Sequence, residues 1–307
     1  MKRSLIACFA LIFLIAISWI FYQTVYAAST TVTVNRTGDE SDRAPGDGVC
    51  DISVNPGHQC TLRAAMEELN ALGAEPTPHE IEFDLSGTGP FTFLPSTELP
   101  SIDVPMIING TTQPLAHCAD LNSIANLLII IDGSNIPGFR DGLSINPNGS
   151  GSTIRGLVIG NFTDGIEINT QSNNNQIICN FIGVHVDGNT EFGNSTGISI
   201  WGSQNLIGGE DAIQRRNIIS GNSEGILFRS SAHNNTVLNN YIGPAADGLN
   251  EIDSNVGIRI SMDSSGNIIG GENIFSRNVI SGNDAHGISI FGVKNQILGN
   301  YIGVASD

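Results

Sequence analysis

From Ile81 onward the apolar positions of this chain fall two residues apart, the period of strands and not of helices. Ile81, Phe83 and Leu85 alternate with polar residues, and short apolar runs follow at Met106 to Ile108 and Leu127 to Ile131. From Gly165 the alternation becomes regular. A Gly-Ile-x-hydrophobic quartet recurs at Gly165, Gly197, Gly225, Gly257 and Gly287, at intervals of 32, 28, 32 and 30 residues. A longer period runs through it: the block from Asn175 to Gly183 returns at Asn235 to Gly243 and at Asn295 to Gly303, 60 residues apart both times. One repeat is therefore two turns of about 30 residues, each holding about three short strands separated by Gly and Asn. Such turns are too short for helical repeats, so the pattern predicts an all-β solenoid. Ile166/Ile168, Ile198/Ile200, Ile226/Phe228, Ile258/Ile260 and Ile288/Ile290 are expected to point inward and stack in register. With strands about 4.8 Å apart, about eight turns make a rod ~40 Å long. Asn at the recurring corners is expected to take a positive φ and to bond to its neighbours along the rod axis.

The N-terminal part differs. Lys2 and Arg3 precede an apolar run from Leu5 to Tyr22, and Val25-Tyr26-Ala27 has the small residues of a cleavage site, so residues 1–27 read as an export signal. An uncleaved membrane anchor is the alternative. Cys8, in a lipoprotein-like Leu5-Ile6-Ala7-Cys8, stands at the wrong end of the run for that role. Thr31 to Val34 alternates as a short strand, and an acidic, turn-rich stretch runs from Asp39 to Asp51. Thr61 is placed to cap a helix from Leu62 to about Leu72 that ends at Gly73. Its apolar face, Leu62, Ala65, Met66, Leu69 and Leu72, suits a lid over the first open end of the stack. Residues 28–80 thus read as a capping module, 81–164 as irregular first coils and 165–307 as the regular array. Asp187, Asp247 and Asp307 are 60 residues apart, so the array is expected to continue beyond Asp307.

Charge narrows the partners. The 307 residues carry 30 acidic and 13 basic side chains, a net charge of -17, which opposes binding to nucleic acid and to anionic membranes. Beyond the signal, Cys50, Cys60, Cys118 and Cys179 remain. Cys50 and Cys60 flank a loop containing Pro56-Gly57 and are expected to bridge in an oxidising compartment. Cys118 and Cys179 read either as a second bridge or as two small apolar residues. No Cys or His spacing suggests zinc.

The repeats from about Ile81 resemble right-handed parallel β-helices of the pectin-lyase-like superfamily. Gly48-Val49-Cys50-Asp51 followed by Cys60-Thr61-Leu62-Arg63-Ala64-Ala65-Met66 resembles the CSLREA-type module of exported bacterial surface proteins, with Thr, Ala and Met where that motif has Ser, Glu and Ile. The combination implies a right-handed parallel β-helix with one N-terminal capping helix. It does not imply an activity.

The superfamily resemblance includes polysaccharide lyases and hydrolases, which makes carboxylates and basic residues the groups to seek. Thr163-Asp164-Gly165-Ile166-Glu167 resembles a polygalacturonase segment, yet the accompanying Asp pair is absent, and Asp164 has the place of an ordinary turn residue. The outward quartet position holds Glu167, Ser199, Leu227, Arg259 and Ser289, which leaves Glu167 and Arg259 roughly 14 Å apart. Lys294 and His286 stand alone. No catalytic, metal or cofactor residue is assigned, although Asp39, Glu40, Asp42, Asp47 and Asp51 are of the type that calcium prefers. Phe181, Tyr241 and Tyr301 recur every second turn, about 9.6 Å apart, close to the length of a disaccharide. They read either as a sugar-stacking stripe or as rings packed beneath the loops that follow them. The expected function is a non-catalytic exported scaffold or adhesin-like binder of polysaccharide or another surface component. The alternative is a polysaccharide lyase or glycoside hydrolase acting on acidic polysaccharide.

Overall fold

A computed structural model describes residues 29–54, 59–210 and 213–304. The expected export signal of residues 1–27, Pro56-Gly57 and Asp307 lie outside the described residues. Three sheets, of nine, eight and six strands, carry nearly all the regular structure, and every strand pair within them is parallel. The chain visits the sheets in a fixed order, here A, B, then C, before starting the next coil. Coils 1 to 8 begin in sheet A at His79–Phe83, Met106–Asn109, Thr153–Arg155, Gln176–Ile178, Leu206–Gly208, Thr236–Leu238, Ile268–Gly270 and Gln296–Leu298. The fold is all-β, parallel and solenoid-like, with one α-helix among the described residues. Coil 1 is irregular: it offers sheet C only the bridge of Ile102 to Ile145.

The inward columns form as the alternation requires. Ile166 pairs with Ile198, Ile198 with Ile226, Ile226 with Ile258 and Ile258 with Ile288, and the first four are fully buried. Strand β1 (Thr31–Val34) adds to the outer edge of coil 1, Val32 beside Ile81 and Val34 beside Phe83. Helix α1 (Leu62–Leu72) closes the same end. Thr61 Oγ1 accepts the Ala64 amide at 3.0 Å, and Leu62, Ala65, Met66 and Leu69 join the coils in one continuous core. Arg63 fastens the lid by bonding Asp39 at 2.9 Å and the carbonyls of Thr97 and Glu98, both at 2.9 Å. Both cysteine pairs are disulfides, Cys50–Cys60 with Cα atoms 5.3 Å apart and Cys118–Cys179 with 5.7 Å. The second ties a long loop of coil 2 to coil 4.

The corners are held by asparagine. Asn175, Asn205, Asn235, Asn267 and Asn295 follow one another up the rod, each Nδ2 donating to the next Oδ1 at 2.9–3.0 Å. That same Oδ1 accepts the preceding asparagine's backbone amide at 2.9–3.0 Å. A second ladder climbs through Asn180, Asn217, Asn240, Asn278 and Asn300, and a shorter one joins Asn194 to Asn222. Expectation and structure differ on backbone geometry. In the first ladder the positive φ belongs to the residue before each ladder asparagine: Asn174, Gln204, Asn234, Gly266 and Lys294, at 55–71°. The turn is made first, and the asparagine then enters the corner with its amide aligned along the axis. Gly243, in the 60-residue block, has φ 103° and sits so close to the next coil that a Cβ there would strike the Ser281 carbonyl oxygen.

Asn240 is fully buried, and its Nδ2 serves Ile207 O at 3.0 Å, Leu238 O at 2.9 Å and Asn278 Oδ1 at 3.0 Å. Asn240→Ala strands these partners and is expected to cost about 2–4 kcal/mol of stability. Asn250→Ala, on an exposed loop, is expected to cost less than about 1 kcal/mol. Urea unfolding of the two variants beside the parent checks this, and equal midpoints would remove the ladder from the stability argument.

Candidate functional site

Outside the core, polar side chains gather on the outer face of sheet C. Strand Asp164–Ile168 lies between Leu143–Ile145 and Thr196–Ile200, which puts Ser144 beside Glu167 and Glu167 beside Ser199. Asp141 precedes Gly142, whose amide bonds the Asp164 carbonyl at 2.9 Å, and Asp141 Oδ1 accepts the Asp164 amide at 3.2 Å. Three carboxyl groups, Asp141, Asp164 and Glu167, thus meet on two adjacent coils. Arg229 reaches down from coil 5, its Nη2 3.7 Å from Asp164 Oδ2 and its Nε donating to Ser199 Oγ at 3.0 Å. Its guanidinium also lies 5.3 Å from the centre of the Trp201 ring. One step further along, Arg259 pairs with Glu224 at 2.6 Å.

The cluster corrects the expectation that carboxylates and basic groups do not converge here. Glu167 and Arg259 are indeed on separate coils, but Arg229 and Asp141 supply the missing contacts. Asp141-Gly142-Leu143-Ser144-Ile145 has the same shape as the later quartets with Leu in place of Ile. A search anchored on Gly-Ile passes over it. Arg229 stands directly after Ile226-Leu227-Phe228, two residues beyond the outward position the repeat marks. Asp164, expected at a turn, instead opens the strand Asp164–Ile168; it is 5% exposed and a member of the cluster.

Asp141 is pushed up to about 7, by partial burial first and then by the charges of Glu167 and Asp164, with Glu167 close enough to share a hydrogen bond. A carboxyl that holds its proton near neutrality has the property required of a general acid.

The acidic stretch of the N-terminal module is occupied internally. Asp39 bonds Arg63 and Ser96, Asp42 accepts the amides of Ala44 and Asp51, and Asp51 pairs with Arg43. Among the described residues no three His, Cys, Asp or Glu side chains are grouped to hold a metal ion. His286 is aligned with Val256 on sheet C and exposed, as is Lys294 at its corner.

The outer face of sheet B carries a second apolar cluster containing Val158, Phe181, Val184, Ile218, Ala245 and Ile252. Loops of coils 4 and 6 fold over it, closed by bridges Val184 to Glu191 and Pro244 to Glu251, and Ala246 N bonds Gly188 O at 2.8 Å between them. The disulfide-linked loop of coil 2 covers the same face through Cys118 and Ala119. The aromatic stripe is therefore not a uniform exposed ladder. Phe181 is 2% exposed beneath this cover. Tyr241 is partly exposed with the Arg216 guanidinium 4.0 Å from its ring centre. Tyr301 is 39% exposed with Arg277 at 5.4 Å. Between the loops a cavity of about 390 Å³ remains, lined in part by Phe181, Ile218, Arg216, Asp120 and Asp247.

No family model matches this chain, and no curated protein matches it. The fold itself is that of an all-β parallel solenoid-like protein.

The Asp141 shift has a consequence for stability. Below about pH 4 folded and unfolded chains both hold this proton, and from there to about pH 7 ionisation increasingly favours the unfolded chain, so the group's contribution falls as pH rises. Asp141→Asn keeps the acceptor for the Asp164 amide and removes the repulsion. Melting temperatures across the pH range should show this variant more stable than the parent above about pH 7 and equal to it below about pH 4. A constant difference at all pH values would refute the assignment.

Proposed function

We propose that the chain is an exported, non-catalytic β-helical scaffold with adhesin-like binding along its side. One observation carries the reading: the surface repeats. Loops with the same Asp-Gly turn stand over sheet B on coils 4 and 6, and Arg216 over Tyr241 is repeated as Arg277 over Tyr301. A catalytic centre brings unlike groups to one bond, whereas a polymer ligand rewards like contacts at intervals. Export is supported by Lys2, Arg3 and the apolar run to Tyr22, with removal after Ala27, and by two disulfides, which suit an oxidising compartment. The resemblance of residues 28–80 to the CSLREA-type module, followed by parallel coils of the pectin-lyase-like type, supports placement at or outside the cell surface.

A second reading has its own observation. Asp141, Asp164 and Glu167 beside Arg229 are the groups a lyase or glycoside hydrolase of acidic polysaccharide would use. Incubation of the chain with polygalacturonate, with and without calcium, separates the two. Ultraviolet absorbance of unsaturated uronides and reducing-end release are expected to stay at the buffer level across the range in which Asp141 titrates. Turnover that disappears in Glu167→Gln or Asp164→Asn would overturn the scaffold reading.

A further inference from the structure

The arginines of this acidic chain are divided between two kinds of place. The five ion pairs among the described residues use Arg43, Arg63, Arg140, Arg229 and Arg259. Arg36, bonded to Gln59 in the N-terminal module, takes part in none of them, and neither do Arg155, Arg215, Arg216 and Arg277, although acidic residues outnumber basic ones by 30 to 13. These four lie along one edge of the rod, where sheet A turns into sheet B. Three of the four buried side-chain atoms that lack a hydrogen-bond partner among the described residues are the Nε atoms of Arg155, Arg215 and Arg277.

Their hydrogen bonds go to neutral groups. Arg155 Nη2 is 3.8 Å from Cys118 Sγ, Arg215 bonds the Gln176 side chain, Arg216 bonds Asn239 Oδ1 at 3.0 Å, and Arg277 bonds the Tyr301 hydroxyl at 3.2 Å. Neutral partners position a guanidinium without discharging it. Glu80 acts on Arg155, and Asp120 and Asp247 share the cavity lining with Arg216, but none of them forms an ion pair with the row. The row's members also repel one another, as Arg215 does Arg155, and an external anion relieves that repulsion.

The row has a period. Arg155 belongs to coil 3, Arg215 and Arg216 to coil 5 and Arg277 to coil 7. With strands about 4.8 Å apart the charged points are about 9.6 Å apart, the spacing of every second sugar in an extended glycan. Tyr241 lies on the intervening coil 6 and Tyr301 on coil 8 beyond Arg277, and the cavity beside Arg216 has an apolar floor of Phe181 and Ile218 with Asp120 and Asp247 also in its lining. Nucleic acid fits poorly, because its phosphates come every ~3.4 Å along a strand and most would face the acidic remainder of the surface.

Resting on the reading of this chain as a polysaccharide-binding rod, we propose that the row formed by Arg155, Arg215, Arg216 and Arg277 binds a linear polysaccharide bearing one carboxylate or sulfate per disaccharide. Each guanidinium makes a charge-assisted, two-point contact with one anionic group, and the rod adds such contacts at fixed intervals.

Calorimetric titration with hyaluronan oligosaccharides, which carry one carboxylate per disaccharide, tests the proposal. Chondroitin sulfate oligosaccharides add a sulfate arm, polygalacturonate a carboxylate on every sugar, and dextran none. Binding of hyaluronan or of chondroitin sulfate is expected, weakening as salt is raised, with polygalacturonate weaker than the better of the two and dextran silent. Chondroitin sulfate keeps the carboxylate and adds the sulfate, so the comparison shows whether a sulfate strengthens the contact. Arg216→Gln with Arg277→Gln should weaken it by about tenfold or more, and the doubly Lys variant should fall between. Arg36→Gln, which removes one positive charge in the N-terminal module, should leave it unaltered. Unchanged melting behaviour of the Lys pair separates lost binding from lost folding. Binding equal in the double Gln variant, binding of dextran, or no binding of either periodic glycan overturns the proposal. Turnover in the uronide assay would instead overturn the non-catalytic reading, and the arginine titration would remain interpretable in Glu167→Gln.

Discussion

The requirement that every buried polar group find a partner shapes this molecule more than any other constraint. A parallel coil satisfies its backbone through its neighbours along straight strands, but at each corner the chain turns and that pattern breaks. Here the asparagine side chain takes over. It accepts from one coil and donates to the next with the same geometry that the backbone uses, so the hydrogen-bond column continues around the bend. Corner positions are thereby confined to residues that can both donate and accept. Where the columns depart from asparagine, Ser152 and Ser254 stand in with a single hydroxyl.

This constraint sorts the surface into regions with different freedom. Corners and inward columns belong to the stacking, and variation is left to the outward strand positions and the loops. On sheet C the outward positions have become an internally compensated network, in which carboxyl groups meet Arg229, Arg259, serine and one another. At the boundary of sheets A and B the arginines take part in none of the ion pairs among the described residues. Loops of alternate coils impose a two-coil rhythm on sheet B, so the side of the rod is coarser-grained than its core.

Much of the architecture was legible in the chain because its causes are local or strictly periodic. The isoleucine columns follow from a period of two within a period of about 30. Helix α1 follows from Thr61, an amphipathic face and Gly73. The charged cluster was harder to read, because it depends on reach. Arg229 contacts Asp164 across 65 positions and an intervening coil, and Asp141 enters through a coil only 23 residues from the next. The corner geometry was displaced by one residue for a similar reason: the left-handed turn and the bonded amide are separate tasks, given to adjacent residues such as Asn174 and Asn175. The aromatic period was plain, yet the burial of Phe181 was not, because loops from other coils cover it.

The disulfide between Cys118 and Cys179 joins coil 2 to coil 4 and encloses coil 3, its ends 61 positions apart in sequence. In an ordinary stack a single coil is the natural unit of local opening, since it touches only the coil on either side. Here coil 3 cannot loosen far without carrying its neighbours, because its flanks are joined covalently over its outer face. The clip therefore enlarges the cooperative unit from one coil to three. It does so in the stretch where the irregular first coils give way to the regular array, the junction at which a one-dimensional assembly would otherwise come apart.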